Sequence, residues 1–380
     1  MESPKRITIS GYYGYGNLGD EAILETLVTS IRERFDGEPL EIVVLSNDPE
    51  GTESEHGVEA VDRWNPVTVI RTLKDSSILI SGGGGLLQDR TSSLSLWYYL
   101  GLIYLARILS VPVYVFGQGI GPIDRKYNEL LLRGAAAGIK GFLVRDERSE
   151  ELLRSFGIDG DRIISGNDLA FLLSLDGNSQ DRYLASPDKE IVAAALRSDV
   201  KGRSDVLRAV SSGLDMLYDK FDVNLVLFST NSLSDEEMNN DLQASTDAPC
   251  RVIDVDHLSP VQLVKMMQGL DLVIAGRLHT LIFSLLSRTP VQGISYDPKM
   301  DYLIEGVNEL NEGKKFSLWH PDELINATEY LSDLESIYRE RTELKETTTR
   351  INDELTRRTE EKLDLALDWI EEELKSAQRL

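Results

Sequence analysis

The sequence predicts an α/β protein made of two parallel-sheet halves, and three observations predict it. Short β-branched runs alternate with amphipathic, helix-prone stretches over most of the 380 residues, the pattern of a parallel sheet with helices on both faces. Glycine-rich turns follow several of these runs: GYYGYGNLGDEAIL at 11–24, SGGGGLLQ at 81–88 and FGQGIGP at 116–122. Turns of this kind sit at strand ends, where open α/β sheets bind their ligands. The alternation breaks once, at DGNSQDRYLASPDK (176–189), and then restarts. A chain this long is too large for a single core, so two domains are expected.

The expected strands of the first half are 6–10, 41–45, 77–81, 112–116, 141–144 and 162–164, with helices at 21–34, 95–108 and 126–137 among the connections. After the polar stretch, strands are expected at 190–196, 223–228, 251–254, 271–275 and 290–294. Helices are expected at 203–220, 260–268 and 279–286. Two successive Rossmann-like halves facing a cleft make the GT-B architecture: a first domain at 1–175, a linker at 176–189 and a second domain at 190–320. The remainder, 321–380, is charged and free of proline after Pro321. Its apolar positions, among them Leu331, Leu334, Ile351, Leu355, Leu363, Leu367 and Ile370, recur at helical intervals. A long helical tail packing back on the first domain is expected.

Composition narrows the class of function. With 41% hydrophobic and 27% charged residues the chain is globular. One cysteine, Cys250, excludes a disulfide framework and an all-cysteine zinc site, and suits a reducing compartment. The start MESPKRITIS does not read as a signal peptide, and no apolar run reaches the roughly 18 residues that span a bilayer. A cytoplasmic protein is expected, at most touching the inner face of the membrane. The net charge of −24 opposes binding to nucleic acid or anionic lipid unless a local patch reverses the sign, and it suits a salty cytoplasm.

Gly14, Gly16 and Gly19 satisfy the dinucleotide fingerprint, but Asp20 and Glu21 occupy the helical turn that would hold a pyrophosphate. The two carboxylates also suit a helix N-terminus, so a plain capped start explains them equally well. Tyr12, Tyr13 and Tyr15 fit a sugar platform. Four glycines at 82–85 require a close approach, by a ligand or by another segment, with Gln88, Asp89 and Trp97 following. Gln118 is placed to bond a hydroxylated ligand, though a structural turn accounts for FGQGIGP equally well. Arg145 ends a strand and matches carboxylate or phosphate oxygens, or forms an ion pair with Asp146 or Glu147. Arg277 and His279 stand where a strand gives way to a helix, an anion site with a proton donor. Lys299 lies at a neighbouring strand end, and Arg197 ends another. The other histidines, His56, His257 and His320, lack a comparable setting. No zinc spacing, serine triad or P-loop is visible.

The stretches GYYGYGNLGDEAIL, SGGGGLLQDRTSSLSLWYY, FGQGIGP, VRDERS, GRLHT and YDPK, in this order, resemble the polysaccharide pyruvyl transferases, and among them the bacterial CsaB-type enzymes. The resemblance covers 11–299 and leaves the tail unmatched. It implies a GT-B-like fold, phosphoenolpyruvate as donor substrate and no cofactor or metal. It further implies a 4,6-ketal on a sugar, typically N-acetylmannosamine of a lipid-linked secondary cell-wall polysaccharide precursor, whose polymer anchors surface-layer proteins. Carried over by motif, donor binding falls on Arg145, His279 and Lys299, and Arg277 and Leu278 are expected beside them. The family's aromatic acceptor contacts fall on Tyr13, Tyr15 and Trp97, and Asn17, Gln88 and Gln118 are expected as further acceptor contacts. His279 is the expected proton donor, and Asp20 or Glu21 the base. The alternatives are a GT-B glycosyltransferase using a nucleotide sugar and a non-catalytic saccharide-binding protein.

Overall fold

The computed structural model describes residues 5–90, 92–175, 189–311, 313 and 315–376. The chain forms two compact units. Unit 1 runs from the N-terminus to Leu173 and resumes at Leu355, and unit 2 is Ser174–Glu354. Almost all of the expected linker, at 176–188, lies outside the described residues.

Unit 1 opens with β1 (Lys5–Ser10), α1 (Leu18–Arg34), β2 (Leu40–Ser46), α2 (Pro49–His56), β3 (Glu59–Asp62) and α3 (Pro66–Lys74). It continues through β4 (Ile78–Gly82), α4 (Ser93–Ile108), β5 (Val113–Gln118), α5 (Lys126–Ala136), β6 (Gly141–Val144), α6 (Glu147–Ser155) and β7 (Ile163–Ser165). Its seven strands lie in the order β3-β2-β1-β4-β5-β6-β7, all parallel. The central strands β4 and β5 are buried throughout, because helices cover both faces. Local chemistry sets the helix starts. Asn65 caps α3 through Val67 and Thr68 with Pro66 following, Ser92 caps α4, and Asp146 caps α6 through Ser149.

Unit 2 repeats the plan with β8 (Ile191–Ala195), α7 (Arg203–Phe221), β9 (Asn224–Leu227), α8 (Ser232–Ser245), β10 (Cys250–Val252), α9 (Pro260–Met267) and β11 (Leu272–Ala275). Then come α10 (Leu278–Leu286), β12 (Val291–Ile294), α11 (Pro298–Glu309), β13 (Leu318–Trp319), α12 (Ala327–Arg339) and α13 (Arg341–Ser376). The strand order is β10-β9-β8-β11-β12-β13, again parallel. Ser259 and Gln262 make a reciprocal capping box at α9, with Pro260 in its first turn. Both units are therefore Rossmann-like. Two edge strands escape the sequence pattern: β3 (EAVD) has an acidic residue at each end and β13 only two residues, so neither offers an apolar run.

The tail departs from expectation. It does not pack as one piece on the first half: α12 and the first part of α13 belong to unit 2, and the chain rejoins unit 1 only from Leu355. Helix α13 has 36 residues, about 54 Å at the usual rise. Within unit 1 its buried stripe is Leu355, Leu363, Ala366, Leu367, Ile370 and Leu374. Trp369 covers Gly141, where a Cβ would come within 2.4 Å of the indole, and its ring lies 6.4 Å from that of Tyr114. Arg34 of α1 pairs with Asp368 and Glu371. The end of the chain thus completes unit 1. Truncating fully buried Ile370 to alanine is expected to cost about 2–5 kcal/mol. Denaturant unfolding followed by circular dichroism measures this, and an unchanged midpoint would make the segment an appendage.

Candidate functional site

Each sheet reverses its winding direction at one place, between β1 and β4 in unit 1 and between β8 and β11 in unit 2. The carboxyl ends at such a switch point frame the ligand crevice of this fold. In unit 1 that position is flanked by the loop 11–17 and by the glycines at 82–85. In unit 2 it is flanked by Arg197 and by Gly276–His279.

In unit 1 the glycine-rich segments meet one another. Gly84 has φ +70°, and a Cβ there would fall 2.5 Å from Asp20 Oδ1. The close approach inferred from the four glycines is therefore made by α1. Asn17 donates to Asp20 at the start of that helix. Glu21 is an anchor. Its Oε1 accepts from the Gly14 amide at 2.9 Å, and its Oε2 lies 3.3 Å from His56 Nε2. His56 Nδ1 is 2.7 Å from Glu25 Oε2. Burial opposes charge on His56, but its hydrogen bonds to Glu21 and Glu25 outweigh burial and push its pKa up to about 9. Glu55 also lies close enough to share a cation with Glu21 and His56. With its proton on, His56 ties Glu21 and Glu25 into one charge network.

Three expectations are corrected here. Tyr13 is fully buried beneath Gly11, and its hydroxyl donates to the Gly82 carbonyl at 3.0 Å, so it supports the loop and cannot touch an acceptor. Gln118 is also fully buried. A register shift after Phe116 turns it inward, and its Nε2 donates to Ser81 Oγ at 2.8 Å. Glu21 has both oxygens committed and is not placed to take a substrate proton. Asp89 is structural as well. Burial works against its charge, but the Asp124 and Arg125 amides and Asn128 Nδ2 hold its carboxyl below the usual range. Tyr15, Asn17 and Gln88 are half-buried, and Trp97 is exposed with its Nε1 donating to Asn128.

Arg145 follows β6 with its side chain buried. Its Nη1 donates to Asp168 Oδ2 at 2.7 Å, whereas Asp146 stands 4.0 Å away. The ion pair is real, but its main partner is neither of the neighbours the sequence offered. The guanidinium lies over Gly119, where a Cβ would meet Nε at 2.9 Å, which explains a glycine in FGQGIGP.

Sequence reasoning missed Arg63. Its guanidinium is buried, donates to the Gly11 carbonyl and to Tyr99 Oη, and lies 4.5–5.4 Å from the ring centres of Tyr15, Trp64, Tyr98 and Tyr99. Tyr15 stacks in parallel on Tyr12 at 4.1 Å. One cation thus gathers the aromatic side chains around the loop after β1. A lone arginine after a short edge strand carries no motif that could announce this.

Unit 2 gathers polar and cationic groups at three adjacent strand ends. Arg277 precedes α10 at its N-cap position and makes no side-chain cap. Its guanidinium instead grips fully buried Asp235 through Nε and Nη2. Asp235 also accepts from the Ser198 amide at 3.2 Å and from Ser229 Oγ at 3.3 Å. Leu278, His279 and Thr280 form the first turn of α10, which holds no acidic residue. Arg197, beyond β8, pairs bidentately with Asp199. Burial lowers its affinity for the proton, but that pairing raises it further. Lys299 stands in the first turn of α11 beyond β12, its amide capped by Asp297. Tyr296 packs against Gly276, and its buried hydroxyl has no hydrogen-bond partner among the described residues. Arg277, His279, Lys299 and Arg197 thus lie at the carboxyl ends of three adjacent strands of one sheet, whereas Arg145 belongs to the other unit.

A family model described as polysaccharide pyruvyl transferase matches residues 17–298. The amylovoran biosynthesis protein AmsJ of Erwinia amylovora is 23% identical over 259 residues, 60% of this chain and 58% of that protein. The chain therefore spans less than two thirds of that relative's length. Among solved structures, Anabaena Alr3699/HepE in complex with UDP and glucose superposes with a TM-score of 0.62 at 12% identity, covering 97% of this chain and 100% of that one. The UDP-GlcNAc 2-epimerase of Neisseria meningitidis bound to UDP-GlcNAc gives 0.57 at 14%, covering 93% and 100%. These likenesses concern the fold, which is GT-B-like.

The Glu21–His56 network has a titration of its own. Folded His56 holds its proton up to about pH 9, against 6.5 for the ordinary side chain. Its stabilisation is therefore complete below pH 6.5 and is lost as pH rises toward 9, by about 3 kcal/mol. Urea unfolding across that window is expected to show the decline, and His56→Gln is expected to flatten it.

Proposed function

The chain belongs to the polysaccharide pyruvyl transferase family, and from that premise we propose that it moves the pyruvyl group of phosphoenolpyruvate onto two hydroxyls of a saccharide. The product is a 4,6-ketal, on N-acetylmannosamine of a lipid-linked polysaccharide precursor, with release of phosphate. The observation that carries the donor assignment is the convergence of Arg197, Arg277, His279 and Lys299 on adjacent strand ends around the uncapped N-terminus of α10. Phosphoenolpyruvate has a carboxylate and a phosphate on three carbons. Helix amides and fixed cations match such a ligand.

The chemistry needs one proton in and two out. A proton reaches the methylene carbon of the donor, and the adjacent carbon is attacked by the first sugar oxygen, which gives up its own proton. The carbon–oxygen bond to phosphate then breaks, and the second sugar oxygen adds at the same carbon and loses its proton. His279 supplies the proton, to the methylene carbon or to the departing phosphate. Arg277, locked by Asp235, and Lys299 bind the anionic ends, with the Leu278 amide beside them. Asp20 takes a proton from the sugar. Tyr15, Asn17 and Gln88 contact the acceptor, whereas Trp97 is turned to the α5 side.

A panel of saccharide acceptors incubated with phosphoenolpyruvate tests the reading by acceptor-dependent phosphate release and the mass of the ketal adduct. Release of a nucleotide from a nucleotide sugar would replace it with glycosyl transfer. His279→Ala is expected to lower turnover by about 10²–10⁴-fold, and near-normal turnover removes His279 from the mechanism. Lys299→Ala is expected to raise the KM for phosphoenolpyruvate about tenfold, the value of one charge-assisted contact. Arg145→Ala separates two roles. Loss of the buried pair with Asp168 is expected to destabilise unit 1 by about 3–5 kcal/mol, whereas a raised donor KM at unchanged stability would make Arg145 a donor contact.

A further inference from the structure

Helix α4 carries a stripe that a solvated helix would not. Leu94, Trp97, Gly101 and Ile108 are all exposed along one side, Leu94 at 72% and Ile108 at 79%, while Leu96, Tyr99, Leu100 and Ile103 fill the core on the other. Helix α5 is tied alongside. Trp97 Nε1 donates to Asn128 Oδ1 at 2.8 Å, Tyr104 Oη to the Leu131 carbonyl at 2.9 Å, and Arg107 Nη1 to the Gly134 carbonyl at 2.9 Å. The rings of Trp97 and Tyr127 are 6.2 Å apart. Helix α5 adds exposed Tyr127, Leu130 and Leu131 to the same surface. Single exposed apolar residues need no explanation, but a joined patch of six large ones marks an interaction site.

The charge around this patch runs against the rest of the chain. Exposed Arg90, Arg107, Arg125, Lys126 and Arg133 stand on the two helices or in the turns leading into them, against exposed Asp124 and Glu129. Residues 89–140 hold six basic and three acidic side chains in a protein whose net charge is −24. This is a local reversal of sign on an otherwise repelled surface.

We propose that the α4–α5 face docks on an anionic lipid bilayer surface. Leucine and isoleucine side chains enter the acyl boundary, and tryptophan and tyrosine settle at headgroup depth. The long basic side chains reach the lipid phosphates, and the acidity elsewhere keeps other faces away. A second copy is a poorer occupant, because it would set the same cations against one another. No described helix is long and apolar enough to cross a membrane, so the contact lies on the bilayer and does not span it. The docking deepens the reading of a lipid-linked acceptor, since it brings the enzyme to the surface where that substrate resides. It requires no donor.

Sedimentation of the full chain with phosphatidylcholine vesicles, with and without phosphatidylglycerol, tests this directly. Binding is expected to the mixed vesicles only, to fall several-fold as salt is raised, and to drop at least about tenfold in the double variant Leu94→Glu, Leu130→Glu. Both positions are largely exposed, so the variant is expected to unfold at the wild-type midpoint, which is checked alongside. Absence of binding to mixed vesicles, or binding that the double variant leaves intact, overturns the proposal. A concentration-dependent dimer that the variant abolishes also overturns it, in favour of a second copy. Phosphate release with a water-soluble saccharide acceptor is expected to be unchanged in the variant. Failure of that reaction in the wild type, with vesicle binding intact, would sink the transfer chemistry and leave the docking standing.

Discussion

The requirement that a buried charge be paired organises the strand ends of this protein. Asp235 has no contact with solvent, and an isolated carboxylate there would cost far more than a small domain can sustain. It is held by Arg277 in two-pronged fashion, by Ser229 and by the Ser198 amide. Those partners follow β11, β9 and β8, so one side chain of α8 ties together three strand ends. Arg277 is fixed before any ligand arrives, and with it the start of α10. Unit 1 uses the same device repeatedly. Glu21 joins the Gly14 amide to His56, Asp168 holds Arg145, and Asp89 gathers the amides of Asp124 and Arg125.

What could be read in advance follows from which signals are local. Eleven of the thirteen strands begin and end within about two residues of the β-branched runs that announce them, because a strand buried on both faces must be apolar along its whole length. The glycine-rich turns were equally legible as places of close approach. The identity of the approaching group was not, since Gly84 makes room for Asp20 from α1 and Gly119 for Arg145, contacts that only the fold creates. Direction was the second hidden quantity. Tyr13 and Gln118 sit in motifs that promise a ligand, yet a turn with positive φ at Gly14 and a register shift beyond Phe116 aim them inward.

Charge partners across the sequence were the third. His56 reads as an ordinary histidine until α1 sets Glu21 and Glu25 against it. Arg63 reads as a surface residue until Tyr15, Trp64, Tyr98 and Tyr99 close around it. The placement of Arg277, His279 and Lys299 just beyond strand ends was legible because a strand–turn–helix junction fixes where the residue after a strand must go. The apolar face of α4 was hidden for the opposite reason. In sequence, 95–108 reads as an ordinary amphipathic helix, and only the packing shows that Leu94, Trp97 and Ile108 lie on the face turned away from the core.

The late return of α13 to unit 1 bears on how the molecule is made. Unit 1 takes material from either side of unit 2 in the chain, and the indole that covers β6 belongs to residue 369. On the ribosome its sheet emerges first and yet waits for part of its cover while the whole of unit 2 is synthesised. The usual order, in which the N-terminal domain closes before the next appears, is reversed here. Unit 2 is complete before the segment from Leu355 follows it, so the oldest part of the molecule closes last.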